Sequence, residues 1–177
     1  MRRLTLGPLT VLLLIGLASQ SVFAQQDFCK PLDAESGRRF LPDRVPMESE
    51  SIPVDNKTFA GVEFPNKSRI AIAALLGAGL SPEMQQKYQF VLISEARVKL
   101  DRWSIPAGMI GLGPASAGGQ GGPILSLVAR DFIGTEIDTI ILKLDPSAKD
   151  ERVSMTPTGP TSFDLHIGKY LIKGAQR

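Results

Sequence analysis

Ser162-Phe163-Asp164-Leu165-His166-Ile167-Gly168-Lys169-Tyr170-Leu171-Ile172-Lys173 is the most legible stretch of this 177-residue chain. Apolar and polar residues alternate from Ser162 to Ile167. That is the period of a strand with one buried face. The alternation sends Phe163, Leu165 and Ile167 inward and Ser162, Asp164 and His166 outward. Gly168-Lys169 then permits a tight hairpin into a second strand, Tyr170 to Lys173.

The same grammar extends upstream. Phe90 to Ser94, Arg97 to Leu100, Trp103 to Ile105, Met109 to Leu112, Ile124 to Ala129, Ile137 to Leu144 and Arg152 to Thr156 all read as short strands. Turn residues separate them: Asp101-Arg102, Pro106-Ala107-Gly108, Asp131 to Thr135, and Asp145-Pro146-Ser147. About eight short strands at roughly ten-residue spacing predict a mainly β fold, a β-sandwich or an open barrel. The expected core is Phe90, Leu92, Val98, Leu100, Leu125, Leu127, Ile140, Leu142, Phe163 and Leu165.

A small helical hairpin is expected before the strands, near residues 69–89. Ser68 is placed to cap Arg69 to about Leu76, and Gly77 to end it, although the alternation of Ile70 and Ile72 also fits a buried strand. Ser81-Pro82-Glu83 is the stronger start, with an N-cap, a proline at N1 and an acid in the first turn. Met84 and Tyr88, four apart, would face the core. Residues 25–58 are polar, charged and proline-containing, and read as an extended arm. Residues 59–177 read as the single β-rich domain.

The first 24 residues read as a secretory signal peptide: Arg2-Arg3, the apolar Val11 to Leu17, and Val22-Phe23-Ala24 before the cleavage point. Its apolar run is too short to span a bilayer, and no later run is long enough. The expected product is exported, periplasmic or secreted, with no membrane span once the leader is removed. Lys and Arg number 20 against 18 Asp and Glu. Arg2 and Arg3 are the leader's only charges, so the remainder balances at 18 against 18. That opposes a nucleic-acid partner, which needs a basic footprint. It also opposes a helix-turn-helix reading of residues 69–89. Cys29 is the single cysteine, so no internal disulfide exists. It reads as incidental or buried, with a lipid site or an intermolecular disulfide as the other readings. Asn56-Lys57-Thr58 and Asn66-Lys67-Ser68 match the glycosylation tripeptide and are taken as chance.

No catalytic, cofactor-binding or metal-ligating set assembles from the sequence. Ser162, Asp164 and His166 are triad residue types, but i, i+2, i+4 spacing on one strand keeps serine and histidine too far apart. One histidine and one cysteine cannot make a structural zinc site. Gly111-Leu112-Gly113 lacks the third glycine and the helix start of a dinucleotide loop, and Gly113 to Gly118 lacks the Lys-Ser/Thr of a phosphate loop. The run 114–122 reads as a loop between strands, a place where partners bind. Trp103 reads two ways: packed in the core, or exposed beside a turn as a stacking platform for a sugar or peptide. The candidate partner-binding residues are Trp103, Arg102, Gly118, Gly119 and Gly121.

Ile105-Pro106-Ala107-Gly108-Met109-Ile110-Gly111, with the preceding 59–90 segment, resembles uncharacterised bacterial exported proteins that carry a Leu-Pro-Ala-Gly-x-Tyr turn after a strand pair. Ile105 stands for the leucine, and Ile110 lies where tyrosine is common. The resemblance implies an exported small β-domain and brings no catalytic residues. The function expected is therefore a non-enzymatic exported domain binding a protein or glycan partner. The alternatives are a small hydrolase or carbohydrate-active domain with paired carboxylates, and a self-associating envelope component.

Overall fold

The computed structural model describes residues 28–115, 126–149 and 151–177. The leader, residues 116–122 of the glycine loop and the predicted core residue Leu125 lie outside the described residues. Sixteen elements follow in order. They are β1 (Lys30–Pro31), α1 (Ala34–Phe40), β2 (Arg44–Met47), β3 (Glu50–Glu63), β4 (Arg69–Leu75), α2 (Pro82–Lys87), β5 (Phe90–Ser94) and β6 (Val98–Leu100). Then come β7 (Trp103–Ile105), β8 (Gly108–Pro114), β9 (Ser126–Arg130), β10 (Glu136–Ile141), β11 (Lys143–Leu144), β12 (Val153–Pro157), β13 (Ser162–Ile167) and β14 (Tyr170–Gln176).

The strands form two antiparallel sheets, and the fold is a β-sandwich. The larger sheet runs β1-β3-β4-β5-β8-β9-β10, with β2 added to β3; the smaller runs β12-β13-β14-β6-β7, with β11 added to β14. The chain crosses between sheets three times: after β5, after β7 at Pro106-Ala107-Gly108, and at Leu142 between β10 and β11. The Gly168-Lys169 hairpin forms as read, with Ile167 opposite Tyr170.

The main core lies between the sheets. Leu92, Leu112, Leu127 and Ile140 from the larger sheet meet Leu100, Phe163 and Leu165 from the smaller. Every described member of the predicted core is buried. The alternation read in β13 holds, with Phe163, Leu165 and Ile167 buried and the three polar residues half-buried. Burial of such side chains contributes about 1.5–3 kcal/mol each.

A second core lies on the outer face of the larger sheet, and it explains two corrections. Residues 69–75 are β4, not a helix. Ile70, Ile72 and Ala74 point into the main core, while Ala71, Ala73 and Leu75 point into the second. A strand covered on both faces loses polar alternation, and its continuous apolar run mimics a buried helix. Of the expected hairpin only α2 forms, capped by Ser81, whose Oγ accepts from the Met84 amide at 3.3 Å. Met84 and Tyr88 are buried as read.

The second correction concerns the arm. Within residues 25–58, the described part folds as β1, α1, β2 and the first half of β3. Val45, Met47, Ile52 and Val54 are buried in the second core. This polar segment is the cover of the larger sheet. From Leu41 to Val54 its buried apolar residues all enter the second core, so its average composition hides its packing.

Candidate partner-binding edge

Trp103 is buried at 4% exposure, in the main core. The stacking platform is therefore absent, and with it the feature expected to recognise a glycan. The cause is the strand period: Trp103 and Ile105 flank the exposed Ser104 and lie on the opposite, inward face of β7. Arg102 is exposed in the β6–β7 turn. Gly118, Gly119 and Gly121 lie outside the described residues.

The exposed large apolar side chains gather elsewhere. Phe132, Ile133, Ile137, Ile141 and Leu144 fall within thirteen residues; only Phe28 and Leu76 join them from the rest of the described chain. This stretch comprises the β9–β10 turn, the edge strand β10 and the two residues of β11. β10 pairs with β9 on one side and has no strand partner on the other among the described residues. A free edge offers unpaired backbone N–H and C=O groups.

The local pairing explains the exposure. From Asp138 to Ile141 the register against β9 is regular, Asp138 with Ala129 through Ile141 with Ser126. Ile140 therefore enters the main core opposite Leu127. Thr139 and Ile141 face the other way and stay exposed. A bulge at Glu136–Asp138 accommodates Ile137, 42% exposed. Ile141 is 57% exposed and borders a small depression lined also by Asp101, Lys143, Leu171, Ile172 and Lys173.

Both ends of this edge are tied down. At one end stands Glu48, in the two-residue loop of the β2–β3 hairpin, with φ of 53°. A left-handed glutamate carries a backbone cost, and here both its backbone and its side chain are bound. Its amide donates to the Phe132 carbonyl at 2.6 Å. Its carboxylate accepts from Tyr88 Oη at 2.9 Å and Lys87 Nζ at 3.4 Å. Gly134, with φ of 90°, lies against that carboxylate, where a side chain would collide with it. Asp131 Oδ1 accepts from the Ile133 and Thr135 amides and closes the turn from within. Buried Arg130 binds Glu136 at 2.7 Å and the Lys87 carbonyl at 3.3 Å. Burial, and then the bond to Glu48, pushes the Tyr88 hydroxyl well above the ordinary tyrosine range. Tyr88 thus remains a neutral donor across the physiological pH range.

At the other end Lys143 pairs with Asp101 at 3.3 Å. That pair brings the Asp101-Arg102 turn beside the β10–β11 junction, so Arg102 lies near this edge although Trp103 does not face it.

The remaining polar candidates go to structural partners. His166 Nε2 meets Asp145 Oδ2 at 3.1 Å, and the Ser162 hydroxyl accepts from Thr158 Oγ1 at 3.2 Å. The bonds from Ser147 and then His166 hold the Asp145 carboxyl below its usual range. Cys29 is buried, and its Sγ donates to the Gly159 and Ser162 carbonyls, both at 3.1 Å. Burial pushes its thiol pKa up, the opposite of a reactive cysteine. Asn56 Nδ2 donates to Asp43 Oδ1 at 2.8 Å, and Asn66 Oδ1 accepts from the Ser68 amide at 3.1 Å and its hydroxyl at 2.7 Å. No group of three or more His, Cys, Asp or Glu with metal-binding geometry occurs among the described residues. No helix among them is long and apolar enough to cross a membrane.

No protein-family model, curated protein or solved structure matches this chain. The edge was missed in the sequence because Ile137 to Leu144 reads as one apolar strand. A signal was nevertheless present. Ile137 and Ile141 have the opposite parity to Ile140 and Leu142, and a strand with one buried face leaves one of those sets in water.

Proposed function

We propose that the protein is an exported, non-enzymatic binding domain that captures a protein partner along β10. The observation that carries this reading is the concentration of exposed apolar side chains on a sheet edge that has no strand partner among the described residues and is anchored at both ends. An incoming strand gains main-chain hydrogen bonds from such an edge and side-chain contacts from Ile137 and Ile141. The ties through Glu48, Asp131 and Arg130 hold the turn in place before binding, which lowers the ordering cost of association. The leader pattern supports export, and the balanced charge supports recognition by a local patch rather than by net attraction.

The test compares the full chain with an Ile137→Lys/Ile141→Lys variant, each tagged and recovered from the compartment to which the source cells deliver it. A protein recovered in near-stoichiometric amount with the natural chain and lost with the variant is the expected result. Identical recovery by both chains overturns the edge as the binding surface. Both substitutions are at exposed positions, so unchanged circular dichroism is expected and confirms that the variant folds.

A further inference from the structure

We infer that the protein taken up by the β10 edge is a second copy of this chain, paired antiparallel about a two-fold axis through Thr139. The inference rests on the edge reading above and names its partner.

A two-fold contact places the same patch on both sides, so the patch must complement itself. In an antiparallel pair, directly opposite residues point to the same face. A two-fold axis perpendicular to the sheet must therefore pass through a residue position. Ile137-Asp138-Thr139-Ile140-Ile141 is nearly symmetric about its centre, with isoleucine two places to either side of Thr139. Pairing Thr139 with itself sets Ile137 of one copy beside Ile141 of the other, twice. Both isoleucines are exposed in the single chain. Cross-strand pairs of β-branched residues stabilise sheets. Ile137 stands in the bulge, so the pairing is regular from Asp138 to Ile140 and the two isoleucine contacts flank it.

Charge chooses the direction. The first half of β10 carries Glu136 and Asp138, and Lys143 stands two residues beyond its end, in β11. Antiparallel pairing brings the acidic half of each copy toward the lysine end of the other. Parallel pairing would align acid with acid. The chain without its leader carries no net charge to drive copies apart. The bulge and the two acids blunt the beginning of the edge, as native edges often are. The regular stretch from Asp138 to Ile141, with Thr139 inside it, is left available. The product is one continuous sheet across two sandwiches.

Sedimentation velocity over a concentration series of the full chain, with Thr139→Cys and Ile133→Cys variants under mild oxidation, tests the inference. The expected result is a dimer that Ile141→Lys weakens at least about tenfold. Thr139→Cys is expected to yield a disulfide-linked dimer, because the two β-carbons face each other across the axis. Ile133→Cys, away from the axis, is expected not to. The buried native Cys29 stays silent in both. A chain that remains monomeric, with no Thr139→Cys cross-link, overturns the second copy. So does a dimer that survives Ile141→Lys without that cross-link. If the chain is monomeric and another protein is still lost from the Ile137→Lys/Ile141→Lys variant, the edge reading stands and only the self-pairing falls. If neither assay responds to the edge substitutions, both fall.

Discussion

At the scale of single residues, contacts decide more than residue type. Gly113 on β8 passes so close to the Lys87 carbonyl at the end of α2 that a methyl group would overlap it. Backbone cannot yield as a flexible side chain does. Gly113→Ala is therefore expected to cost about 1–3 kcal/mol, the range for overpacking, and urea unfolding measures it. An unchanged midpoint would mean that α2 sits further from β8. The same scale separates three residues that composition treats alike. Ile140 lies in the core, while Ile137 and Ile141 face water. Trp103, the most conspicuous side chain in the sequence, is packed away. Its neighbours in the chain suggested exposure, but the alternation of β7 decided otherwise.

At the scale of elements, the turn between β9 and β10 is held by a residue more than eighty positions earlier. Glu48 reaches it only because the β2–β3 hairpin and α2 meet over the outer face of the larger sheet. Glu48→Ala removes the acceptor for Tyr88 Oη, and leaving that buried hydroxyl unpaired costs about 1–3 kcal/mol. The variant is also expected to exchange its 131–135 amides faster, as read by hydrogen exchange. Equal protection in both chains would show that Asp131 alone closes the turn. β5, α2 and the β13–β14 hairpin were legible because each carries its own local signal: a short apolar run, a cap and proline, or a strict alternation. β4 was not, because a doubly covered strand has no polar face to reveal its period. β2 and the first half of β3 were not, because four buried side chains among many charges look like an arm.

At the scale of the whole molecule, the described residues hold no disulfide, and carboxylates reinforce the packing. Glu95 binds Arg69 at 2.6 and 3.0 Å and accepts the Arg69 amide at 2.9 Å, joining the start of β4 to the end of β5. Asp55, on β3, approaches Arg152 just before β12 at 3.9 Å, across the two sheets. Both carboxyls lie below their ordinary ranges, Glu95 through its bond from the Arg69 side chain and Asp55 through its bond from the Thr58 hydroxyl. A depressed carboxyl stabilises the fold fully above its unfolded value, about 4, and loses that contribution as pH falls through the lower folded value. The protein is therefore expected to lose urea resistance steadily below about pH 4. Glu95→Gln is expected to be less stable than the natural chain at neutral pH and to lose less on acidification. An equal acid loss in both chains would remove Glu95 from this account.

Strand content, the mainly β class (a sandwich or an open barrel), the described inward set of the main core and the cap of α2 were determined by the sequence by itself. Each depends on a period or a turn chemistry that near neighbours in the chain carry. Only the tertiary structure decided that β4 is a strand, that the polar N-terminal segment is a cover, and that the apolar surface lies along β10. Burial of a second face and the freedom of an edge depend on which elements arrive from elsewhere. Ile141 is exposed because neither core covers its face of β10, and Ile72 is buried because the smaller sheet packs over its face of β4.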